Sequence, residues 1–248
     1  MAAMSSRFFL VPFLPGLAFD AQPELSLDDL DFFLQLNLSS SEMAAVNQLY
    51  SLVNLENVRS FFTGLPMASL GTIPHEELRE QLENEECSLP GVFEFVTQYK
   101  TPEERAEHAR LLPRYFFANI PLKLPSFVSA YFQFEHTTRL LTASLRAEAL
   151  GRPFEEVDFD IHDQKAWPEL FSPLLSMWQA RHTDPKELEE AFSAWKFQAL
   201  GSLIVDSAPF SLDHVLAYLL QLRLLEERRE MKTASHVSTL ERIVEAVK

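Results

Sequence analysis

Asp158, Asp160, His162 and Asp163 form the most metal-like cluster in this 248-residue sequence. In an extended segment alternate residues face one side, so Asp158, Asp160 and His162 could converge on a cation. Three ligands so close in the chain need further ligands from elsewhere to hold a metal. The same residues also read as an acidic surface loop. Glu135 and His136 sit mid-helix among aromatic residues and invite an acid–base reading. Proton transfer also needs a pocket and a reacting partner, and neither is visible, so a satisfied, partly buried pair is the simpler reading. Cys87 stands close to Glu83, Glu85 and Glu86, a neighbourhood that disfavours the thiolate a nucleophile requires.

The familiar loops and motifs of catalysis are missing. Gly16, Gly64, Gly71, Gly91, Gly151 and Gly201 are the six glycines. They build neither of the common phosphate-cradling loops, so no nucleotide site and no cofactor are expected. His75-Glu76-Glu77 begins like a zinc-protease motif and goes no further, and there is no nucleophile elbow. A net charge of −15, from 36 acidic and 21 basic residues, opposes binding to nucleic acid. It is compatible with a basic protein partner and equally with a merely soluble surface. The single cysteine excludes an internal disulfide and makes a reducing compartment the default. No apolar run reaches the 18 residues or so of a membrane span. The stretch 8–19 resembles a signal peptide only superficially, because Pro12, Pro15 and Gly16 break it.

The elements that would position these residues read as helices. Ser126–Gly151 is the central one, preceded by Pro125 and closed by Gly151 and Pro153. Its Phe127, Val128, Tyr131, Phe134, Leu141 and Leu145 fall on a broad apolar face. Glu135 and Arg139 are spaced to pair along one ridge. Before it, Phe8–Val11 reads as an extended piece or edge strand. Ser26 caps a helix over 27–36, and Ser39–Ser41 open another that reaches Phe62 and stops at Gly64. Residues 75–86 suggest a charged, solvated helix. Thr101-Pro102-Glu103-Glu104 starts a helix that kinks or breaks at Pro113. Further helices are expected over 168–181, from 186 to about 205, and over 212–231. A separate short one begins at Ser235 or Ser238. Scarce glycine argues against a sandwich or barrel. The expectation is an all-α fold of nine or ten helices in one domain over 1–248. A subdivision into 1–151 and 168–248 would be joined by the acidic connector 152–167.

Three helices echo one another: Tyr50 to Arg59, Tyr131 to Arg139 and Tyr218 to Arg228. Each has a tyrosine, then apolar residues, then an acid and an arginine, and such a pattern also arises by chance in helix-rich chains. The pairs Glu56 with Arg59, Glu135 with Arg139, and Glu227 with Arg228 are the structural helix pairs expected.

With Phe8-Phe9-Leu10-Val11, Leu89-Pro90 through Tyr99, Phe127–Leu150 and Leu219–Arg228 in view, the chain resembles a known group. These are the uncharacterised proteins encoded within bacterial V-type ATPase gene clusters of chlamydiae, spirochaetes and Bacteroidetes. That family is distantly similar to the C-type subunit of V-type ATPases, whose eukaryotic equivalent is the d-type subunit. The C-type subunit is a funnel of three similar helical modules seated on the membrane rotor ring, and it has no active site. Its recurrent acid-x-x-Asn-aliphatic-Arg pattern is most nearly met by Asn54-Leu-Glu-Asn57-Val58-Arg59. The resemblance implies a non-enzymatic structural or assembly component of the ATPase that links rotor ring to central stalk. It would be cytoplasmic and peripheral to the membrane through the complex. The alternatives are a soluble helical protein–protein adaptor and a metal-dependent small-molecule enzyme using the 158–163 connector.

Overall fold

Side-chain hydrophobicity at helical spacing, punctuated by caps, is what the structure turns into architecture. The computed structural model describes residues 7–68, 71–152, 169–181, 184–206, 208 and 210–246. Side chains are described for these residues except 7–9, 181, 185 and 231–246. Among the described residues every regular element is helical, so the fold is all-α as expected.

Contacts group the chain into two compact units, residues 1–40 with 137–248, and residues 41–136. The first unit holds α1 (Arg7–Phe13), α2 (Leu27–Asn37), α9 (Ser172–Arg181), α10 (Pro185–Ser202) and α11 (Leu212–Ala246). The second holds α3 (Ser40–Thr63, apart from its first residue), α4 (His75–Glu83), α5 (Val92–Gln98), α6 (Pro102–His108) and α7 (Leu112–Ala118). Helix α8 (Ser126–Ala149) belongs to both, with the division after His136. The expected connector 152–167 lies outside the described residues except for Arg152. Of the three echoing segments, one falls in each unit and the central one straddles the division.

Most helix limits follow from local chemistry. The Ser26 hydroxyl accepts from the Asp29 N–H at 3.1 Å, capping α2. Gly64, with φ of +67°, and Gly151, with φ of +61°, stand just past the ends of α3 and α8 in the left-handed region. Thr101 and Glu104 form a reciprocal capping box at the start of α6. The break foreseen at Pro113 is real. A 3₁₀ turn over Ala109–Leu111 separates α6 from α7, and Pro113 sits in the first turn of α7, where an absent N–H is harmless.

Three local expectations need correction. The N-terminal segment is helical rather than extended, because Pro12 falls near the end of α1 and interrupts little of so short a helix. The 75–86 helix is shorter and is not wholly solvated. It ends at Glu83, and Leu78 and Leu82, one turn apart, are fully buried beneath a charged outer face. Finally, α11 runs unbroken to Ala246 with no new start at Ser235 or Ser238. No Gly or Pro lies between 212 and 246 to end it, and a serine inside a helix does not restart one.

The second unit is built around α3, whose Leu52, Val53, Asn54 and Leu55 are all buried, so the helix is enclosed on every side there. Phe95 of α5 stacks on Phe62 and meets Tyr115 of α7 edge-on at 5.5 Å. In the first unit α10 packs on α9 and α11, while α1 and α2 pack on each other and on α11. The Trp195 indole donates to the Leu170 carbonyl at 2.9 Å and Gln221 donates to the Phe197 carbonyl at 2.9 Å. Burying each large apolar side chain of such seams contributes about 1.5–3 kcal/mol.

Candidate functional site

The most organised polar chemistry in the second unit is a pair of buried amides. Asn54 and Asn57 lie on α3 at 2% and 1% exposure, too deep to remain without partners. Asn57 accepts from the Ala68 N–H at 2.7 Å and donates to the Ala68 carbonyl at 3.1 Å. Asn54 donates to the Thr72 hydroxyl at 2.9 Å and accepts from the Thr72 N–H at 3.1 Å and the Ile73 N–H at 3.4 Å. Each amide therefore uses both its donor and its acceptor, which a carboxylate in the same place could not do. The loop after α3 is held against the helix through its own backbone. Gly71 leaves room for both amides, since an added Cβ would lie 2.7 Å from Asn54 Oδ1 and 2.8 Å from Asn57 Nδ2 and would push them out of place. His75 extends the clamp, its Nε2 2.9 Å from the Ala68 carbonyl.

On the outer face of the same helix, Arg59 and Glu56 pair at 3.2 Å, as their spacing suggests. Both are about half exposed, so the pair contributes at most about 1 kcal/mol. Glu135 is buried on α8, with Arg139 half-buried one turn later on the same ridge. His136 stacks on Phe117, with ring centroids 4.6 Å apart.

The third expected pair is not formed. Glu227 takes Arg223, at 2.8 Å, in place of Arg228. An adjacent residue points away around the helix, whereas one four positions back lies on the same side. Arg228 reaches outward from α11 instead. Its Nε is 3.2 Å from Glu190 Oε2, Nη2 meets the other oxygen of the same carboxylate, and Nη1 donates to the Phe19 carbonyl at 2.9 Å. Its guanidinium also lies 4.1 Å from the Phe19 ring centroid. The arginine therefore fastens α10 and the segment before α2 to α11. Sequence marks the arginine but not its partners, which are 38 and 209 positions away.

One arrangement looks catalytic at first sight. Ser211 Oγ lies 2.7 Å from His214 Nδ1, the contact that activates a serine nucleophile. The same oxygen is 2.7 Å from the Asp206 carbonyl, which can only accept. The hydroxyl proton goes to Asp206, so His214 must donate to Ser211 rather than take its proton. This Ser–His pair is a fastening at the start of α11. Asp213 supports it by accepting from the N–H groups of Val205 and Asp206 at 3.1 and 2.9 Å.

Cys87 is buried, and burial pushes its thiol pKa up, with the Leu89 backbone hydrogen bond acting in the opposite direction. The acidic neighbours weighed in the sequence are not what raises it. Among the described residues no three His, Cys, Asp or Glu side chains are grouped to hold a metal ion. Asp158, Asp160, His162 and Asp163 lie outside the described residues. No described helix is long and apolar enough to cross a membrane.

Comparison with known proteins agrees on kinship. The chain is similar to an uncharacterized protein of Chlamydia pneumoniae, 26% identical over 228 residues, covering 82% of this chain and 85% of that one. An uncharacterized protein of Chlamydia trachomatis is 28% identical over 167 residues, 65% of this chain and 62% of its own length. One from Chlamydia muridarum is 26% identical over 167 residues, with the same coverage. No solved structure matches. The family described as "Protein of unknown function (DUF2764)" matches residues 4–248, nearly the whole chain, and the protein belongs to that family.

Proposed function

We propose that this protein is a non-enzymatic helical scaffold, a structural or assembly subunit of a V-type ATPase that couples rotor ring to central stalk as the C-type subunit does. The observation that carries the reading is how buried polar groups are used. Asn54 and Asn57 fasten a loop to α3, Arg228 fastens two segments to α11, and Ser211 with His214 fastens the start of α11. Such groups stiffen each unit internally, as suits a part that must pass on force, and none of them converges on a vacant reaction centre. The ATPase assignment is supported by the chain-wide resemblance to proteins of V-type ATPase gene clusters, and the C-type comparison by Asn57-Val58-Arg59, which matches the Asn-aliphatic-Arg ending of that subunit's pattern. Purification of the native ATPase from membranes tests it. This chain should co-purify, and its deletion should leave the complex unassembled or uncoupled. A complex that assembles, couples and rotates without it at every stage overturns the reading.

A helical adaptor outside any ATPase is the second reading, favoured by the large apolar side chains exposed on α2. Co-purification with a defined non-ATPase partner, and not with the motor, would select it.

A further inference from the structure

The outward side of α2 has a composition that its own unit does not use. Leu27, Leu30 and Leu34 are buried on the inner side. Phe32 is 58% exposed, Phe33 39% and Leu36 65%. Asp28, Phe32 and Leu36 follow one ridge at i, i+4 and i+8, and Asp29 and Phe33 run beside it. The Phe32 and Phe33 rings lie 6.0 Å apart by centroid, side by side on the surface. Helix α1, which packs on α2, ends at Phe13, itself 80% exposed. Scattered apolar residues on a surface need no explanation, but adjacent ones on a single helical face mark an interaction site.

Charge narrows the occupant. Asp28 and Asp29 are exposed in the first turn, where the helix dipole alone would explain them. The dipole does not explain the lack of any basic residue in the chain around them. From Phe8 to Val58 the chain contains no Lys, Arg or His. An apolar ridge on a helix that carries carboxylates and no cation of its own suits a partner whose own apolar ridge is bounded by cations. Anionic lipid headgroups would be repelled, and membrane-lying helices carry Lys and Arg where this one carries Asp. A second copy of the same face would bury carboxylates with no cation to meet them.

We propose that Asp28, Asp29, Phe32, Phe33 and Leu36 form a docking surface for an amphipathic helix of another protein, with apolar residues at i and i+4 flanked by Lys or Arg. Phe32 and Leu36 supply the apolar anchor and the two aspartates set its polarity, in the manner of helix-in-groove recognition. The surface does not depend on which complex the chain enters.

The test uses the full chain and two synthetic amphipathic helices with leucine at i, i+3, i+4 and i+7, one flanked by lysine and one by glutamate. The lysine peptide should bind the wild type. Phe32→Ser with Leu36→Ser should weaken it at least about tenfold, as loss of a central anchor does. Asp28→Lys with Asp29→Lys should weaken the lysine peptide by a similar factor and let the glutamate peptide bind. The same reversal at exposed positions on α4, Glu76→Lys with Glu77→Lys, should change neither, and circular dichroism verifies that each variant is folded. Binding indifferent to the α2 changes, or lost equally in the α4 variant, overturns the proposal. So does α2-dependent binding to lipid vesicles in place of the peptide, or self-association that the α2 changes abolish.

Discussion

Replacing Arg228 separates a true fastening from a decorative surface arginine. Its side chain is 14% exposed, while the Glu190 carboxylate it grips is 48% exposed, so solvent screens that pair and it contributes at most about 1 kcal/mol. The bond from the charged guanidinium to the Phe19 carbonyl is worth about 1.5–3 kcal/mol. The guanidinium against the Phe19 ring adds about 0.5–1 kcal/mol. One side chain makes all three contacts, so the sum overstates the loss, and Arg228→Ala should cost about 3 kcal/mol in urea unfolding. Arg228→Lys keeps the charge but cannot grip the carboxylate, the carbonyl and the ring together, and should still cost about 1–2 kcal/mol. In about 1 M salt, where the screening length falls to about 3 Å, only the share of the carboxylates, Glu190 and the more distant Asp20, should fade. A cycle pairing Arg228→Ala with Phe19→Leu should show coupling of about 0.5–1 kcal/mol. If Arg228→Lys unfolds within about 0.5 kcal/mol of the wild type, ordinary for a surface change, the reasoning fails.

Three other perturbations follow from the same geometry. Gly91 has φ of +75°, and an added Cβ would fall 2.2 Å from the Tyr115 carbonyl oxygen, a backbone atom that cannot step aside. Gly91→Ala should therefore cost more than about 3 kcal/mol by urea unfolding, and a loss near the 1 kcal/mol or so of left-handed backbone alone would mean the helices separate easily. Asn57→Asp should destabilise more than Asn57→Leu, because the carboxylate turns an acceptor toward the Ala68 carbonyl while buried; equal urea midpoints would remove the clamp argument. For Cys87 the folded state holds the thiol proton more tightly than the unfolded chain does. Its contribution is thus fully present below the free-thiol pKa of about 8.5 and declines as pH rises above it. Comparing wild type with Cys87→Ala across that range reads this out, and a wild type that gains on the variant as pH rises contradicts it.

Buried and exposed polar groups are used differently in this chain. Buried amides, the arginine and the serine–histidine pair are consumed in holding backbone to backbone. The aspartates and phenylalanines of α2 face outward. The amide clamp stiffens the second unit, while the first holds the Arg228 and Ser211 fastenings together with the outward face of α2.

Helix positions are legible in the sequence wherever local chemistry decides them. Ser26, Thr101 with Glu104, Gly64, Gly151 and Pro113 each act on atoms within a few residues, so their spacing alone marks a start, a stop or a break. The i, i+3 pair of Glu56 and Arg59 is legible for the same reason. Phe8–Val11 misleads because a short apolar run before proline fits a strand as well as a helix, and period cannot separate them. The serines of the unbroken α11 mislead because a residue that favours a helix start has no such power where nothing stops the preceding helix. What tertiary structure alone decides is where the buried polar groups go. Asn54 and Asn57 carry no sign of the loop eleven to nineteen positions away that satisfies them. Nothing beside Arg228 announces Phe19 or Glu190. Burial makes an unsatisfied polar group costly, but its partner can come from any segment that packing brings near. Sequence therefore shows which residues need partners, and only the folded chain determines which partners they have.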